Sequence, residues 1–222
     1  MNNLQKRILT SIVIFPLSIF FIIQGGHFLL SFLFIVFLAA NYELFSIFNR
    51  KIIILFLDLI LILSLFSIYA LRGDESNFYL LRIQTPFILL LWVIILCICS
   101  DIGGYVVGKI FKWKKLSKIS PNKTLSGVLG SFIFSIFSLL IMNEISKNSI
   151  LNFLEAKFFF LAIIFSLIAQ VGDLTISFFK RIEKVKDMGK ILPGHGGIFD
   201  RIDSLMFVVI VTYVLYQLNV FT

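Results

Sequence analysis

The chain has 222 residues, of which 59% are hydrophobic and only 14% are charged. A water-soluble domain averages about 45–50% apolar and about 25% charged residues, so this composition excludes a water-soluble globular protein and indicates a membrane protein. The formal net charge of +8 fits basic loops on the cytoplasmic side, attraction of an anionic substrate, or both.

Seven stretches are long and apolar enough to cross a bilayer, which needs about 20 helical residues. In chain order they cover residues 8–25, 27–47, 51–71, 86–108, 124–143, 158–179 and 204–221. The first follows Lys6 and Arg7, as in a signal peptide, but no small-residue cleavage pattern follows it, so we interpret it as a retained span. The pattern predicts an all-α, polytopic integral membrane protein with about seven transmembrane helices.

Basic residues are distributed unevenly between the two sides of this arrangement. With the N-terminus in the cytoplasm, 16 of the 20 Lys and Arg residues fall in inner segments, which favours that orientation. Most of them lie in two long inner loops, residues 109–123 and 180–203. We expect one transmembrane domain over residues 1–222, with N-terminal spans in 1–85 and a catalytic half in 86–222. The active site is expected on the cytoplasmic side.

Acidic residues inside a membrane are costly, at about 2.5–3.5 kcal/mol each on insertion scales, and therefore invite a functional explanation. The predicted spans contain four, at Glu43, Asp58, Asp101 and Asp173. Glu43 is interpreted as a charge at the inner end of its helix, and Asp58 as a packing residue. Asp101 shares a helical face with glycines and Tyr105, which predicts either a ligand site or a small-residue packing seam.

The sixth span carries a narrow polar stripe on an otherwise apolar helix. Its members follow one another at steps of four, three, four and three residues: Ser166, Gln170, Asp173, Ser177 and Lys180. At about 100° per residue they share an arc of about 80°, so the stripe faces protein or a water-filled cavity. This pattern favours Asp173 as a metal ligand with supporting polar groups. An interhelical hydrogen-bonding seam is the alternative.

A glycine-rich segment precedes the last span. Its turn contains Gly194, His195, Gly196 and Gly197, whose exposed amides can bind a phosphate, although the histidine can also be only a turn residue. Two aspartates and an arginine follow at once, at Asp200, Arg201 and Asp203. Carboxylates, cations and amides together suit a divalent metal with a polyphosphate. Helix capping by the two aspartates is the alternative.

Fixed spacings in this half of the chain carry a family resemblance. The C-terminal pattern runs from Ser177-x-x-Lys180-Arg181 through Lys186-Asp187 to Pro193-x-His195-Gly196-Gly197-x-x-Asp200-Arg201-x-Asp203. Upstream stand Gln170-x-Gly172-Asp173-Leu174, Asp101-x-Gly103-x-Tyr105-x-x-Gly108 and Ser120-Pro121-x-Lys123-Thr124-x-x-Gly127. The chain thereby resembles the phosphatidate cytidylyltransferases, specifically from about residue 100 onward. It departs from many of them at Ser126 and Ile176, where they carry acidic residues.

The resemblance implies transfer of cytidylate from CTP to phosphatidic acid, giving CDP-diacylglycerol and pyrophosphate, in a bacterial inner membrane. It implies Mg²⁺ bound by Asp173 and Asp200, with Asp203 holding a metal-bound water or orienting Arg201. Phosphate charge would be neutralised by Lys180, Arg181 and Arg201. The remaining substrate-binding residues would be Asp101, Tyr105, Lys123, Ser177, Gly194, His195, Gly196 and Gly197. Membrane lipids are expected partners, nucleic acid is not, and a homodimer is left open.

Two other functions remain as alternatives. A CTP-dependent kinase of a polyprenol-type lipid would transfer the γ-phosphate to an alcohol and would need a base for the hydroxyl group. A non-enzymatic membrane transporter would be expected to show inverted repeats or broken helices around a site at the bilayer midplane, and neither is visible in the sequence.

Overall fold

A computed structural model describes residues 3–73, 85–117, 120, 123–147, 151–189, 191–192, 194 and 196–221. Within them the chain forms seven helices: α1 Asn3–Gln24, α2 Gly26–Ile47, α3 Lys51–Arg72, α4 Thr85–Phe111, α5 Leu125–Ile145, α6 Ala156–Ile182 and α7 Phe199–Gln217. The predicted all-α fold is confirmed. Of the described helices, α2 to α6 are long and apolar enough to cross a membrane.

The structure moves the start of the last helix. The apolar pattern predicts a span from residue 204, but α7 begins at Phe199 and its first turns contain both Asp200 and Asp203. The N-cap residue is Ile198, whose apolar side chain cannot accept a hydrogen bond from the first amides of the helix. The alternative in which Asp200 is the N-cap residue is therefore wrong.

Helices α4 and α5 form the closest pair in the bundle, because small residues face each other along their length. A methyl group added at Gly130 would lie 2.5 Å from the carbonyl oxygen of Gly103 and 2.5 Å from the Cβ of Val107. The same addition at Gly104 would lie 2.7 Å from the hydroxyl of Ser131. The packing seam expected beside Asp101 is therefore present.

We expect Gly130→Ala to destabilise the protein by about 1–3 kcal/mol, because the methyl group would press on backbone and on a branched side chain. Gly104→Ala is the milder comparison, since its methyl group meets mainly the Ser131 hydroxyl and would cost chiefly the hydrogen bond from that hydroxyl to the Ser100 carbonyl. Denaturant titration in detergent micelles measures both. Equal stability of Gly130→Ala and wild type would contradict the close packing of α4 on α5.

Two apolar clusters hold the other helices together. In the first, Trp92 of α4 makes edge or tilted ring contacts with Phe153, Phe158 and Phe165, which joins α4 to α6. The second gathers residues of α2, α3, α6 and α7 around Leu44, Leu57, Ile176, Phe199 and Met206. This second cluster lies under the connection between α6 and α7, and it packs α2 and α3 against the C-terminal half of the chain.

Candidate functional site

The polar residues that the sequence predicts to be functional gather at one end of the bundle, here called the loop end. It is defined by the connections 112–124 and 183–198. The C-terminal ends of α2, α4 and α6 and the N-terminal ends of α3, α5 and α7 meet there. Because α6 and α7 are antiparallel neighbours, the end of the α6 stripe lies beside the first turns of α7.

The polar stripe of α6 is continuous and faces protein, as predicted. Far from the loop end, the Ser166 hydroxyl forms a hydrogen bond with the Ser100 hydroxyl of α4, with the two oxygens 2.8 Å apart. In the middle, the Ser177 hydroxyl donates to Asp173 Oδ1 at 3.3 Å, while Asp173 Oδ2 pairs with the ammonium group of Lys123. The stripe is thus both an interhelical seam and the support of a carboxylate.

Asp173 belongs to a group of three carboxylates from three helices. Asp101 of α4 and Asp203 of α7 lie close enough to Asp173, and to each other, to interact electrostatically. Lys123 and Arg201 are the cations that act on Asp101. Three like charges with nearby cations give a site that gains from binding additional positive charge, since each carboxylate otherwise repels the other two.

Asp200 stands in a different environment. Its Oδ1 accepts from Lys180 Nζ at 2.7 Å, and its Oδ2 accepts from the amides of Met188 at 2.8 Å and Gly197 at 3.0 Å. The side chains of Lys180 and Asp200 are only 10% and 7% exposed, so this ion pair is buried. A carboxylate has about four lone-pair positions, and these contacts use three of them.

The glycine turn is closed by a backbone hydrogen bond from Leu192 to the carbonyl of Gly196, at 3.1 Å. Gly194 and Gly196 have φ angles of +81° and +85°, a conformation that side-chain-bearing residues rarely adopt. A methyl group at Gly196 would also lie 2.9 Å from Asp200 Oδ2. The turn is thereby built against the buried ion pair. The predicted substrate-binding residue His195 lies outside the described residues.

Three other predicted site residues differ in how close they lie to the carboxylate group. Arg201 is exposed near Asp101, and so within the carboxylate group. Arg181 is exposed at the end of α6 and donates to the carbonyl of Val185 at 3.0 Å. Tyr105 is 68% exposed, and its contact is with Lys109 on its own helix, whose ammonium group lies 5.5 Å from the ring centre.

The two departures from the family pattern are accommodated without charge. Ile176 is fully buried in the second apolar cluster. Ser126 is also buried, lies 3.0 Å from the Thr124 hydroxyl and accepts from the amide of Trp113 at 3.4 Å. Neither position contributes a carboxylate here, so the acidic group of the site consists of aspartates from α4, α6 and α7.

Sequence reasoning missed the role of Glu43. The sequence predicts a charge at the end of a helix, but the side chain is buried, with 1% exposure, and accepts from the amides of Ile198 and Phe199 in the C-terminal half. The sequence signal is a carboxylate in an apolar span, with weak agreement to the family pattern at that position. A partner 155 residues away cannot be found from local patterns.

The donor chemistry of the loop end fits Mg²⁺, which prefers carboxylate oxygens and is commonly held by one or two carboxylates together with substrate phosphates. Asp173 supplies such an oxygen, and the Lys123 ammonium group beside it shows that a cation fits there. Among the described residues, no three His, Cys, Asp or Glu side chains are arranged to hold a metal ion by themselves. Substrate phosphates and water would complete the coordination of such an ion.

Apolar spanning helices with acidic, basic and glycine-rich elements gathered at one end define an integral membrane protein with a candidate site for charged ligands at that end. Residues 51–219 match the model of the cytidylyltransferase family, which is most of the chain. The chain therefore belongs to the cytidylyltransferase family, and the resemblance drawn from its motifs is confirmed.

Relatives with the printed name phosphatidate cytidylyltransferase match over different lengths. The chain is 36% identical to the Helicobacter pylori (strain ATCC 700392 / 26695) protein over 141 residues, 63% of this chain and 48% of that protein. It is 40% identical to the Staphylococcus haemolyticus protein over 144 residues, 63% and 49% of the two chains. The Rickettsia conorii protein is 29% identical over 219 residues, 96% of this chain and 91% of that protein. The chain thus spans about half the length of the first two relatives and nearly all of the third.

Proposed function

We propose that this protein transfers cytidylate from CTP to phosphatidic acid, producing CDP-diacylglycerol for phospholipid biosynthesis and releasing pyrophosphate. The observation that carries the proposal is the meeting of Asp101, Asp173 and Asp203 with Lys123 and Arg201 at one end of apolar helices. A soluble nucleotide and a lipid headgroup can react only where water and membrane meet. The family and the names of the relatives support the same reaction.

The chemistry requires charge compensation more than acid–base groups. A phosphate oxygen of phosphatidic acid attacks the α-phosphorus of CTP, and the bond from that phosphorus to the pyrophosphate oxygen breaks. Pyrophosphate leaves with the bonding electron pair. The attacking phosphate is already ionised at neutral pH, so no general base is needed. Because both reactants are anions, the protein has to hold them together and stabilise the charge on the leaving group.

The residues of the loop end fit these tasks. Lys123, Lys180 and Arg201, which lie beside the aspartates, would bind phosphate charge, with Arg181 at the rim. The glycine turn would present amides to CTP. Asp173 and Asp200 stay the proposed ligands of Mg²⁺. When bound, the cation would offset the charge of the CTP phosphates and of the departing pyrophosphate.

We further place the loop end on the cytoplasmic side of a bacterial inner membrane. The positive-inside rule supports this orientation, because the connections 109–123 and 180–203 are rich in lysine and arginine. Lysines at an inner surface attract anionic lipids by about 1 kcal/mol each, which would concentrate an anionic lipid substrate near the site.

Product analysis tests the proposed reaction. Purified protein in detergent, given phosphatidic acid, Mg²⁺ and CTP labelled in the cytidine, is expected to move the label into the lipid phase. EDTA should abolish the transfer, and excess Mg²⁺ should restore it. Parallel reactions with label in the γ-phosphate should leave the lipid unlabelled. Label from the γ-phosphate in the lipid would instead identify a CTP-dependent lipid kinase, and activity that survives EDTA would contradict the metal assignment.

A further inference from the structure

Glu43 lies against two points of the connection between α6 and α7, one on each side of the glycine turn. Its Oε2 accepts from the amide of Ile198 at 2.8 Å and from that of Phe199 at 3.3 Å. A methyl group at Gly189 would lie 2.5 Å from Glu43 Oε1, and one at Gly197 would lie 2.5 Å from Oε2. The carboxylate therefore sits where the connection enters and leaves the glycine turn.

The contact is needed because α7 lacks a cap of its own. Ile198 is the N-cap residue and cannot accept a hydrogen bond with its side chain, although the first amides of a helix need acceptors. Glu43 supplies that acceptor from a different helix and places a negative charge at the positive end of the α7 dipole. A residue of the N-terminal half thereby completes an element of the C-terminal half.

Apolar packing holds this arrangement from both sides. Met188, next to Gly189, and Phe199, next to Ile198, are both fully buried. They pack in the second apolar cluster with Ala40 and Leu44, which flank Glu43 on α2. Because both ends of the turn are anchored on α2, the positions of Gly194 and Gly196 and of the carboxylate of Asp200 depend on that helix.

We propose that Glu43 is a positioning residue for nucleotide binding: its carboxylate closes the base of the glycine turn and orients the start of α7. The inference rests on the proposed function, since it takes the turn to bind the phosphates of CTP. Glu43 itself touches neither substrate. Its loss should therefore weaken the use of CTP while the use of phosphatidic acid changes little.

Kinetics of Glu43→Gln test the proposal. The uncharged amide offers one acceptor oxygen instead of two and would turn an NH₂ group toward backbone amides. We expect a raised KM for CTP and a fall in kcat/KM for CTP on the order of 10–100-fold, the effect of a small misplacement of binding groups. The KM for phosphatidic acid should stay within about twofold. Glu144→Gln is the matched control, because Glu144 is exposed and pairs with the exposed Lys147 on the surface.

A second pair of variants tests the geometry and keeps the test valid if Glu43→Gln does not accumulate. Gly197→Ala places a methyl group against the carboxylate, whereas Glu43→Asp shortens the acid by one methylene group and frees that space. Gly197→Ala should therefore cost less kcat/KM for CTP in the Glu43→Asp background than in wild type.

The outcomes distinguish a failure of the proposed function from a failure of the positioning role of Glu43. Wild-type protein that forms no CDP-lipid would overturn the proposed function before any variant is compared. With an active wild type, an unchanged KM for CTP in Glu43→Gln, or a lower kcat that follows only the loss of folded protein, would overturn the positioning role. Independent effects of Gly197→Ala and Glu43→Asp would overturn it as well.

Discussion

Replacement of Asp173 by Asn is expected to lower CDP-lipid formation on the order of 10²–10³-fold, as when a preorganised electrostatic group is removed from a reacting centre. Asp173 is the centre of the carboxylate group, accepts from Ser177 and pairs with Lys123. Asn keeps the size of the side chain and an acceptor oxygen but loses the negative charge that strengthens the binding of a divalent metal ion. Initial rates of purified protein at saturating CTP and phosphatidic acid measure the effect.

The protein should remain inserted and folded in this variant. The side chains of Lys123 and Asp173 are 26% and 28% exposed, and ion pairs with that access to water contribute little to stability. Asp58→Asn is the matched control: it removes an aspartate from α3, whose Oδ1 is buried without a hydrogen-bond partner among the described residues. A near-normal rate for Asp173→Asn would refute the metal assignment.

Replacement of Lys180 by Met is expected to destabilise the protein by about 3–5 kcal/mol, because it leaves the buried Asp200 carboxylate without its cation. The two amides that also bond Asp200 can offset only part of that charge. Adding Asp200→Asn to the same chain should recover much of the loss, since the unpaired charge is then removed. Denaturant titration in micelles of wild type, both single variants and the double variant measures the coupling.

An exposed ion pair provides the control for this experiment. Lys147 pairs with Glu144 at the opposite end of the bundle, where both side chains are about two-thirds exposed. Lys147→Met should therefore leave stability nearly unchanged. If Lys180→Met is as stable as Lys147→Met, the buried pair does not exist in solution. Activity should also fall in Lys180→Met, because the pair supports the glycine turn.

The contrast between these two aspartates bears on how the site is assembled. Asp200 is buried and bonded to Lys180, Met188 and Gly197, so it fixes the connection between α6 and α7. Asp173 is more accessible and lies with two further carboxylates. Asp200 therefore has a structural task besides its proposed role as a metal ligand, whereas the more accessible Asp173 does not hold this connection.

The sequence by itself determined the class of protein and, closely, the number of helices, and it predicts that the C-terminal half carries the site. Long apolar runs can satisfy their backbone hydrogen bonds in a membrane only as helices, so their positions follow from composition alone. The stripe from Ser166 to Lys180 was also predictable, because helical periodicity places those residues on one face whatever surrounds them. The motif spacings identified the family without any structure.

Contacts between distant segments were decided only by the tertiary structure. The pairing of Lys123 with Asp173, the burial of Asp200 with Lys180, and the approach of Glu43 to the start of α7 each join different helices. Local patterns state which face of a helix is polar but not which helix lies opposite. That choice depends on the packing of whole surfaces, such as the glycine seam of α4 and α5, and packing is a property of the assembled bundle.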